Sequence, residues 1–218
     1  MSPARLLSFS PEAFFALFET YNRAVWPAPV AAYALGLAAL ALVFKPMPGA
    51  GRIVAAILAA MWAWNGIAYH LIYFAEINFI APAFAALFVL QAALFAWAGA
   101  IRGALVFRFR PDFAGWTGLA LALFALAGYP LLGEFAGHDW PRMAVFGIAP
   151  CPTTIFTLGL LSLVEGRARL YLLAIPLLWA LIGGSAAWLL RMPEDLTLLL
   201  AALAVGGAMW ADLRRAKT

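Results

Sequence analysis

The side chain with the clearest chemical potential is Cys151, the single cysteine of the chain, which stands between two prolines in the stretch APCPTTIFT (residues 149–157). A thiolate binds soft metals or carries out redox chemistry when a cation, a helix N-terminus or the metal lowers its pKa. One cysteine cannot form an internal disulfide or a Cys-pair zinc site. His70, His138 and Glu134 would therefore have to complete a zinc or copper site with Cys151. No ligand-spacing motif supports this site, so the alternative that Cys151 is a small buried apolar residue stays open.

Further polar side chains lie inside long apolar stretches, where such groups are costly and by default mark function. Asn65, Tyr69 and Tyr73 are spaced at intervals of four residues and would share one helix face, with His70 beside them. The structural alternative is that His70 is a buried histidine bonded to a neighbour. The candidate ligand-binding residues are Tyr69, His70, Tyr73, Gln91, Tyr129, Cys151, Thr153, Thr154 and Ser185.

The composition indicates that these residues belong to a membrane protein. Hydrophobic residues occupy 66% and charged residues 11% of the 218 positions. Apolar runs of this number and length exceed what one soluble core can bury. The cationic residues sit in short loops, where they orient the chain, so the positive net charge does not predict nucleic-acid binding. The predicted partner is the lipid bilayer, with a small ligand or metal ion, and oligomerisation is left open.

The hydropathy pattern predicts an all-α bundle of seven membrane-spanning helices, since each span needs roughly 20 apolar residues. The predicted spans are 27–45, 53–75, 79–101, 114–134, 143–164, 169–190 and 196–213. Residues 1–26 are predicted to form an amphipathic helix that lies flat on the membrane, with Ser10 and Pro11 as its cap and first residue. Residues 27–213 would form the membrane domain and residues 214–218 a basic tail.

The Lys and Arg residues predict the orientation. With the N-terminus outside and the C-terminus inside, most cationic residues fall on the inner side, as the positive-inside rule requires. The inner set is Lys45, Arg52, Arg102, Arg108, Arg110, Arg167, Arg169, Arg214, Arg215 and Lys217, and the outer set is Arg5, Arg23, Arg142 and Arg191. The predicted location is the inner membrane of a bacterium, with the N-terminus in the periplasm.

Pro150 and Pro152 predict a kinked or partly unwound segment within the span 143–164, because each proline removes an amide donor. Carbonyl groups near residues 146 and 148 would lose their helical partners. A broken backbone at membrane depth is tolerated only inside protein or at a water-filled cavity. The segment therefore predicts a cavity into which Cys151 points.

Several known chemistries do not fit the sequence. The last predicted span has no lysine to form a Schiff base, which disfavours retinal. The seven-helix zinc hydrolases of lipid amides use three histidines, whereas this chain has 2. Walker, dinucleotide-binding and nucleophile-elbow motifs are absent from the sequence.

A resemblance along essentially the whole chain is carried by the segments FSPEAFFALFETYNRAVWP, GRIVAAILAAMWAWNGIAYHLIYFAEIN, LFVLQAALFAWAG, YPLLG, GHDWP, APCPTTIFTLGLL and IPLLWALIGGSAAWLL followed by PED. The chain resembles a bacterial family of multi-pass inner-membrane proteins that has no assigned function. The resemblance implies a single domain of seven helices. It also implies that the family pattern includes Tyr69, His70, Asn78, Gln91, His138, Cys151 and Thr153, and it brings no activity with it.

Three functions remain open on the sequence. The preferred hypothesis is a polar pocket, open to the periplasm, that binds or transports a small ligand or a soft metal ion. The second is an intramembrane enzyme that uses the His, Cys and carboxylate groups on a lipid or quinone. The third is a scaffold subunit in which the polar residues only pack.

Overall fold

The computed structural model describes residues 9–45, 47–165 and 169–215. Within these ranges the chain is helical, and its β structure is limited to an isolated bridge between Phe107 and Val164. The helices are α1 Pro11–Ala24, α2 Ala28–Phe44, α3 Ala50–Glu76, α4 Ala81–Ile101, α5 Phe113–Phe135, α6 Pro150–Ser162, α7 Leu170–Leu190 and α8 Pro193–Arg215. The cationic positions Arg5, Arg167 and Lys217, and the end of the predicted tail at 216–218, lie outside the described residues.

Four helices, α3, α4, α5 and α7, are long and apolar enough to cross a membrane. A fifth span is added if α1 and α2, which meet at 85°, are counted together. The predicted all-helical class with several candidate spans is therefore confirmed. The helix within the fifth predicted span is shorter than expected, because α6 has 13 residues and a bilayer requires roughly 20.

The two prolines begin α6 and do not kink it, which corrects the prediction for this segment. Ala149 is the N-cap, Pro150 is the first residue of α6, and Pro152 lies in its first turn. Amide groups in the first turn have no partner within a helix, so proline costs little there. Residues 143–149 before α6 are not helical.

The carbonyl groups freed by this irregular segment are bonded by side chains from other parts of the fold. Ile148 O accepts a hydrogen bond of 2.7 Å from Tyr21 Oη, and Gly147 O accepts one of 3.1 Å from Asn65 Nδ2. Thr153 Oγ1 donates to Ala149 O at 2.7 Å. The segment is therefore held by α1, α3 and α6 together.

Helix α1 packs its apolar face against the protein. Ser10 caps it as predicted, since its hydroxyl accepts from Ala13 N at 3.2 Å. Phe14, Leu17 and Phe18 are buried on that face. The sequence predicted that the helix lies flat on the membrane, and in the structure α1 meets α2 at an angle of 85°.

Helix α6 is the centre of the bundle, and all of its residues are buried. It packs against α5, α7 and α8. The approach to α5 is closest at two glycines, because a Cβ built on Gly118 would lie 2.6 Å from Gly159 O, and one built on Gly159 would lie 2.7 Å from Gly118 O. The backbones of α5 and α6 therefore touch without intervening side chains.

Candidate functional site

A cavity of about 290 Å³ lies at the end of the bundle that α1 covers. It is bounded by α1, the turn from α3 to α4, the N-termini of α6 and α8, and the C-terminal half of α7. Aromatic rings form much of its wall, including Phe14, Phe18, Tyr69, Phe74, Phe84 and Trp179. The hydrogen-bonding side chains among the lining residues also include Asn78, Cys151 and Asp195. The cavity is therefore mainly apolar, where the sequence predicted a polar pocket.

Asp195 is the acidic residue that lines this cavity. It lies in the first turn of α8 and is 4% exposed, and its carboxyl accepts a hydrogen bond from Tyr129 Oη. Burial raises the pKa of Asp195 to about 7, the nearby Glu194 adds to the rise, and the hydrogen bond from Tyr129 opposes it. The carboxyl can thus hold or release a proton near neutral pH.

The neighbouring Glu194 is also buried, with 1% exposure. Its Oε1 is 2.7 Å from Nδ1 of His138, which lies in the loop after α5. The His138 ring packs on Phe15 of α1 at a centroid distance of 4.6 Å. Oε2 of Glu194 is buried and has no hydrogen-bond partner. The first turn of α8 therefore places two acidic side chains together, one bonded to His138 and one to Tyr129.

Cys151 and Trp179 border the cavity near Asp195. The Cys151 thiol lies within hydrogen-bonding reach of the Asp195 carboxyl. A Cβ built on Gly183 would lie 3.4 Å from Trp179 Nε1 and 3.6 Å from Cys151 Sγ. The indole nitrogen and the thiol are therefore both next to Gly183. Trp179 Nε1 is buried, and it makes no hydrogen bond beyond a weak interaction with the neighbouring Cys151 sulfur. This wall of the cavity thus presents a carboxyl, a thiol and an indole donor.

His70 lies in the layer behind this wall. Its ring contacts Trp179 at a centroid distance of 5.0 Å and Phe88 at 4.6 Å. Both ring nitrogens are buried and make no hydrogen bond. The helix widens to a π-helix over Asn65–Tyr73, which sets the side chains of this turn at unusual angles. His70 supports the position of Trp179 by packing and does not reach the cavity.

Part of the predicted ligand-binding set does meet. Tyr69 and Cys151 both line the cavity. Tyr129 does not line it, but its hydroxyl donates a hydrogen bond to Asp195, which does. Thr154 is buried on α6 and its hydroxyl has no partner. Two of the predicted residues therefore meet at this cavity, and a third lies next to it.

Other predicted residues serve the structure elsewhere. Gln91 Nε2 donates to Leu172 O at 3.0 Å, joining α4 to α7. The ring of Tyr73 packs on Tyr21 at 5.1 Å, and Thr153 bonds the backbone before α6. Ser185 is exposed, and its hydroxyl donates a hydrogen bond of 2.8 Å to Ile182 O. None of these four predicted side chains lines the cavity.

The predicted metal ligands do not assemble. Among the described residues, no group of three or more His, Cys, Asp and Glu side chains is arranged to hold a metal ion. His138 is bonded to Glu194, Glu134 is exposed, and His70 is enclosed by aromatic rings. The zinc or copper site predicted from Cys151 therefore has no support in the structure.

Asp195 and Trp179 line the cavity but were not among the predicted site residues. Glu194 and Asp195 follow Pro193 at the start of a helix, where acidic residues ordinarily complement the helix dipole and face water. They do occupy the first turn of α8, but they are buried there. The sequence feature that could have indicated Asp195 was the pair of adjacent carboxylates directly before an apolar run. No sequence feature distinguishes Trp179 from the other tryptophans among the 9 in the chain.

Comparison with known proteins adds a family but no activity. No curated protein and no solved structure matches the chain. A model for a family of unknown function, DUF6064, matches residues 11–216. This match takes in all the helices that surround the cavity, from α1 to α8. The chain therefore belongs to the DUF6064 family.

Proposed function

We propose that this protein is a bacterial inner-membrane protein that binds a small, largely apolar ligand in the cavity beneath α1. The observation that carries the proposal is the buried carboxyl of Asp195, which lines a cavity whose other walls are mainly aromatic. Burying an ionisable group in such surroundings is costly and is retained where it has a role.

The architecture in this proposal has seven crossings. Helix α8 has 23 residues, enough to span a bilayer. Helix α6 is short, but the non-helical residues 144–149 that precede it are buried within the protein. Irregular backbone is tolerated at membrane depth under that condition. Residues 143–149 and α6 would therefore complete one crossing together, and α1 would cover the outer end of the bundle.

The orientation in this proposal places the cavity on the periplasmic side. The ends of α3 and α7 and the starts of α4, α6 and α8 surround the cavity. At the opposite ends of these helices, Arg52 lies in the first turn of α3, and Arg102, Arg108 and Arg110 lie in the loop after α4. Cationic loops stay in the cytoplasm under the positive-inside rule, so the cavity end would face the periplasm.

The cavity would hold its ligand mainly by burial. Its volume of about 290 Å³ is at the lower end of the roughly 300–1,000 Å³ of small-molecule sites. Apolar surface removed from water contributes about 25 cal/mol per Å². The Asp195 carboxyl and the unpartnered Trp179 Nε1 would fix the orientation of the ligand through its polar atoms.

Binding can be tested by equilibrium dialysis of small aromatic probes against the protein in lipid nanodiscs. The probes are 2-phenylethylamine, 2-phenylethanol and 3-phenylpropionate, and empty nanodiscs correct for partition into lipid. Ala186→Leu enlarges a side chain that lines the cavity. Ser185→Leu enlarges its exposed neighbour on the same helix and serves as the matched control.

We expect saturable binding of at least one probe to the unaltered protein and to Ser185→Leu, and a loss of that binding in Ala186→Leu. If no probe exceeds the empty nanodiscs, or if Ala186→Leu binds as the unaltered protein does, the cavity is not a ligand site and the proposal is wrong.

A further inference from the structure

We propose that the ligand of this cavity is an organic amine, bound as the ammonium ion, with Asp195 as its counter-ion. This inference rests on the proposed function and specifies the chemical class of the ligand.

The charges around the cavity favour a cation. Asp195 lines it, and among the described lining residues there is no Lys, Arg or His to neutralise the carboxylate. Glu194 lies beside Asp195 in the first turn of α8. The hydrogen-bond partner of Glu194 is His138, which lies in the loop after α5 and contacts Oε1 of Glu194. The other titratable groups that interact with Asp195 are Tyr69, Tyr129 and Cys151, which are uncharged when protonated. The local field is therefore negative.

The aromatic wall favours the same class of ligand. Ring faces carry negative partial charge and attract ammonium groups within roughly 6 Å of the ring centroid. Phe84 and Trp179 meet edge to face at 5.2 Å, and both line the cavity together with Tyr69. An ammonium ion beside Asp195 would combine a buried ion pair with contacts to these rings, while the apolar body of the ligand would pack on Phe14 and its neighbours.

Carboxylate and neutral ligands fit less well. A carboxylate in the cavity would meet the like charges of Asp195 and Glu194 in apolar surroundings, where repulsion is strong. An alcohol could donate to Asp195 and accept from Trp179 Nε1, which has no partner. It would lack the charge that strengthens the bond to the carboxylate. The free indole N–H marks a place for an acceptor atom, such as a hydroxyl group, on the amine itself.

The same arrangement makes amine binding depend on pH. Burial raises the pKa of Asp195 to about 7, so the carboxyl is mostly protonated at acid pH and cannot pair with an ammonium ion. The affinity for an amine should rise as the pH increases through this range, because the amine stays protonated while Asp195 loses its proton. The affinity for a neutral alcohol should not rise in the same way.

The dialysis experiment with the three phenyl probes tests this inference. We expect 2-phenylethylamine to bind the unaltered protein roughly tenfold or more tightly than 2-phenylethanol, as expected for a hydrogen bond to a charged group. 3-Phenylpropionate should bind most weakly. Asp195→Asn should lose that preference for the amine and its pH dependence.

The outcomes separate the two proposals. If 2-phenylethanol or 3-phenylpropionate binds as tightly as the amine and Ala186→Leu blocks it, the cavity is a ligand site but the amine assignment is wrong. If no probe binds, both are wrong. If Asp195→Asn does not fold, the ranking of the probes and the pH dependence in the unaltered protein still decide the assignment, because an equal ranking with a flat pH profile contradicts it.

Discussion

The contact between Gly118 and Gly159 gives a prediction about stability that the structure quantifies. A methyl group on Gly118 would lie 2.6 Å from Gly159 O and 2.9 Å from Leu163 Cγ. Neither neighbour can yield easily, since α6 is buried along its whole length. Overpacking of this kind lowers the free energy of unfolding by roughly 1–3 kcal/mol. The change from glycine to alanine inside a helix raises it by about 1 kcal/mol, because alanine has the higher helix propensity. We expect Gly118→Ala to lower the free energy of unfolding by up to about 2 kcal/mol.

Gly206→Ala and Gly207→Ala are matched controls on α8. A Cβ at either position would meet no atom within 4 Å. These two variants should gain roughly 0.5–1 kcal/mol, because alanine loses less conformational freedom in a helix. Denaturant unfolding in detergent micelles, followed by tryptophan fluorescence, measures all three variants. A Gly118→Ala protein as stable as the two controls would refute the close packing of α5 on α6.

Three further predictions concern the buried polar groups. Tyr21→Phe removes the hydrogen bonds to Ile148 O and from Trp64 Nε1 and should lower the free energy of unfolding by about 1–3 kcal/mol. An unchanged value would show that these contacts do not hold α1. His138→Ala leaves the carboxylate of Glu194 without its partner and should cost roughly 1–3 kcal/mol by denaturant unfolding, with a loss below about 0.5 kcal/mol contradicting the pairing. The pKa of Asp195 rises from 3.8 to about 7 on folding, so its contribution to stability is full below about pH 4 and is lost as the pH rises toward 7. In thermal unfolding, the unaltered protein should therefore become less stable over this pH range, and Asp195→Asn should lack that loss of stability. Identical pH profiles for the two proteins would contradict the prediction.

The helical fold was predictable because long apolar runs leave few alternatives in a bilayer. Ser10 and Pro11 marked the start of α1 correctly, since their roles depend only on local backbone geometry. The start of α6 was not predictable from Pro150 alone. A proline is tolerated at the first turn and disruptive inside a helix, and the tertiary contacts from Tyr21 and Asn65 decide between the two.

The candidate site was predictable only in part. Tyr69 and Cys151 were identified because polar groups inside apolar stretches are conspicuous. Asp195 was not predicted as a site residue, because the sequence does not tell which chain segment covers the start of a helix. Its burial depends on Tyr129 of α5 and on the closing of α1 over the bundle end. Gln91 was expected at the ligand, but it bonds a backbone carbonyl of another helix, a contact that no sequence pattern indicates.

The most direct measurement of the central claim is a crystal structure of the protein with 2-(4-bromophenyl)ethylamine, with the bromine located by its anomalous scattering. The account predicts a bromine peak inside the cavity, against the rings of Phe14 and Phe74, and density for the amino group beside the carboxyl of Asp195. A bromine peak found only on the lipid-facing surface, with the cavity free of probe density at saturating concentration, would contradict it.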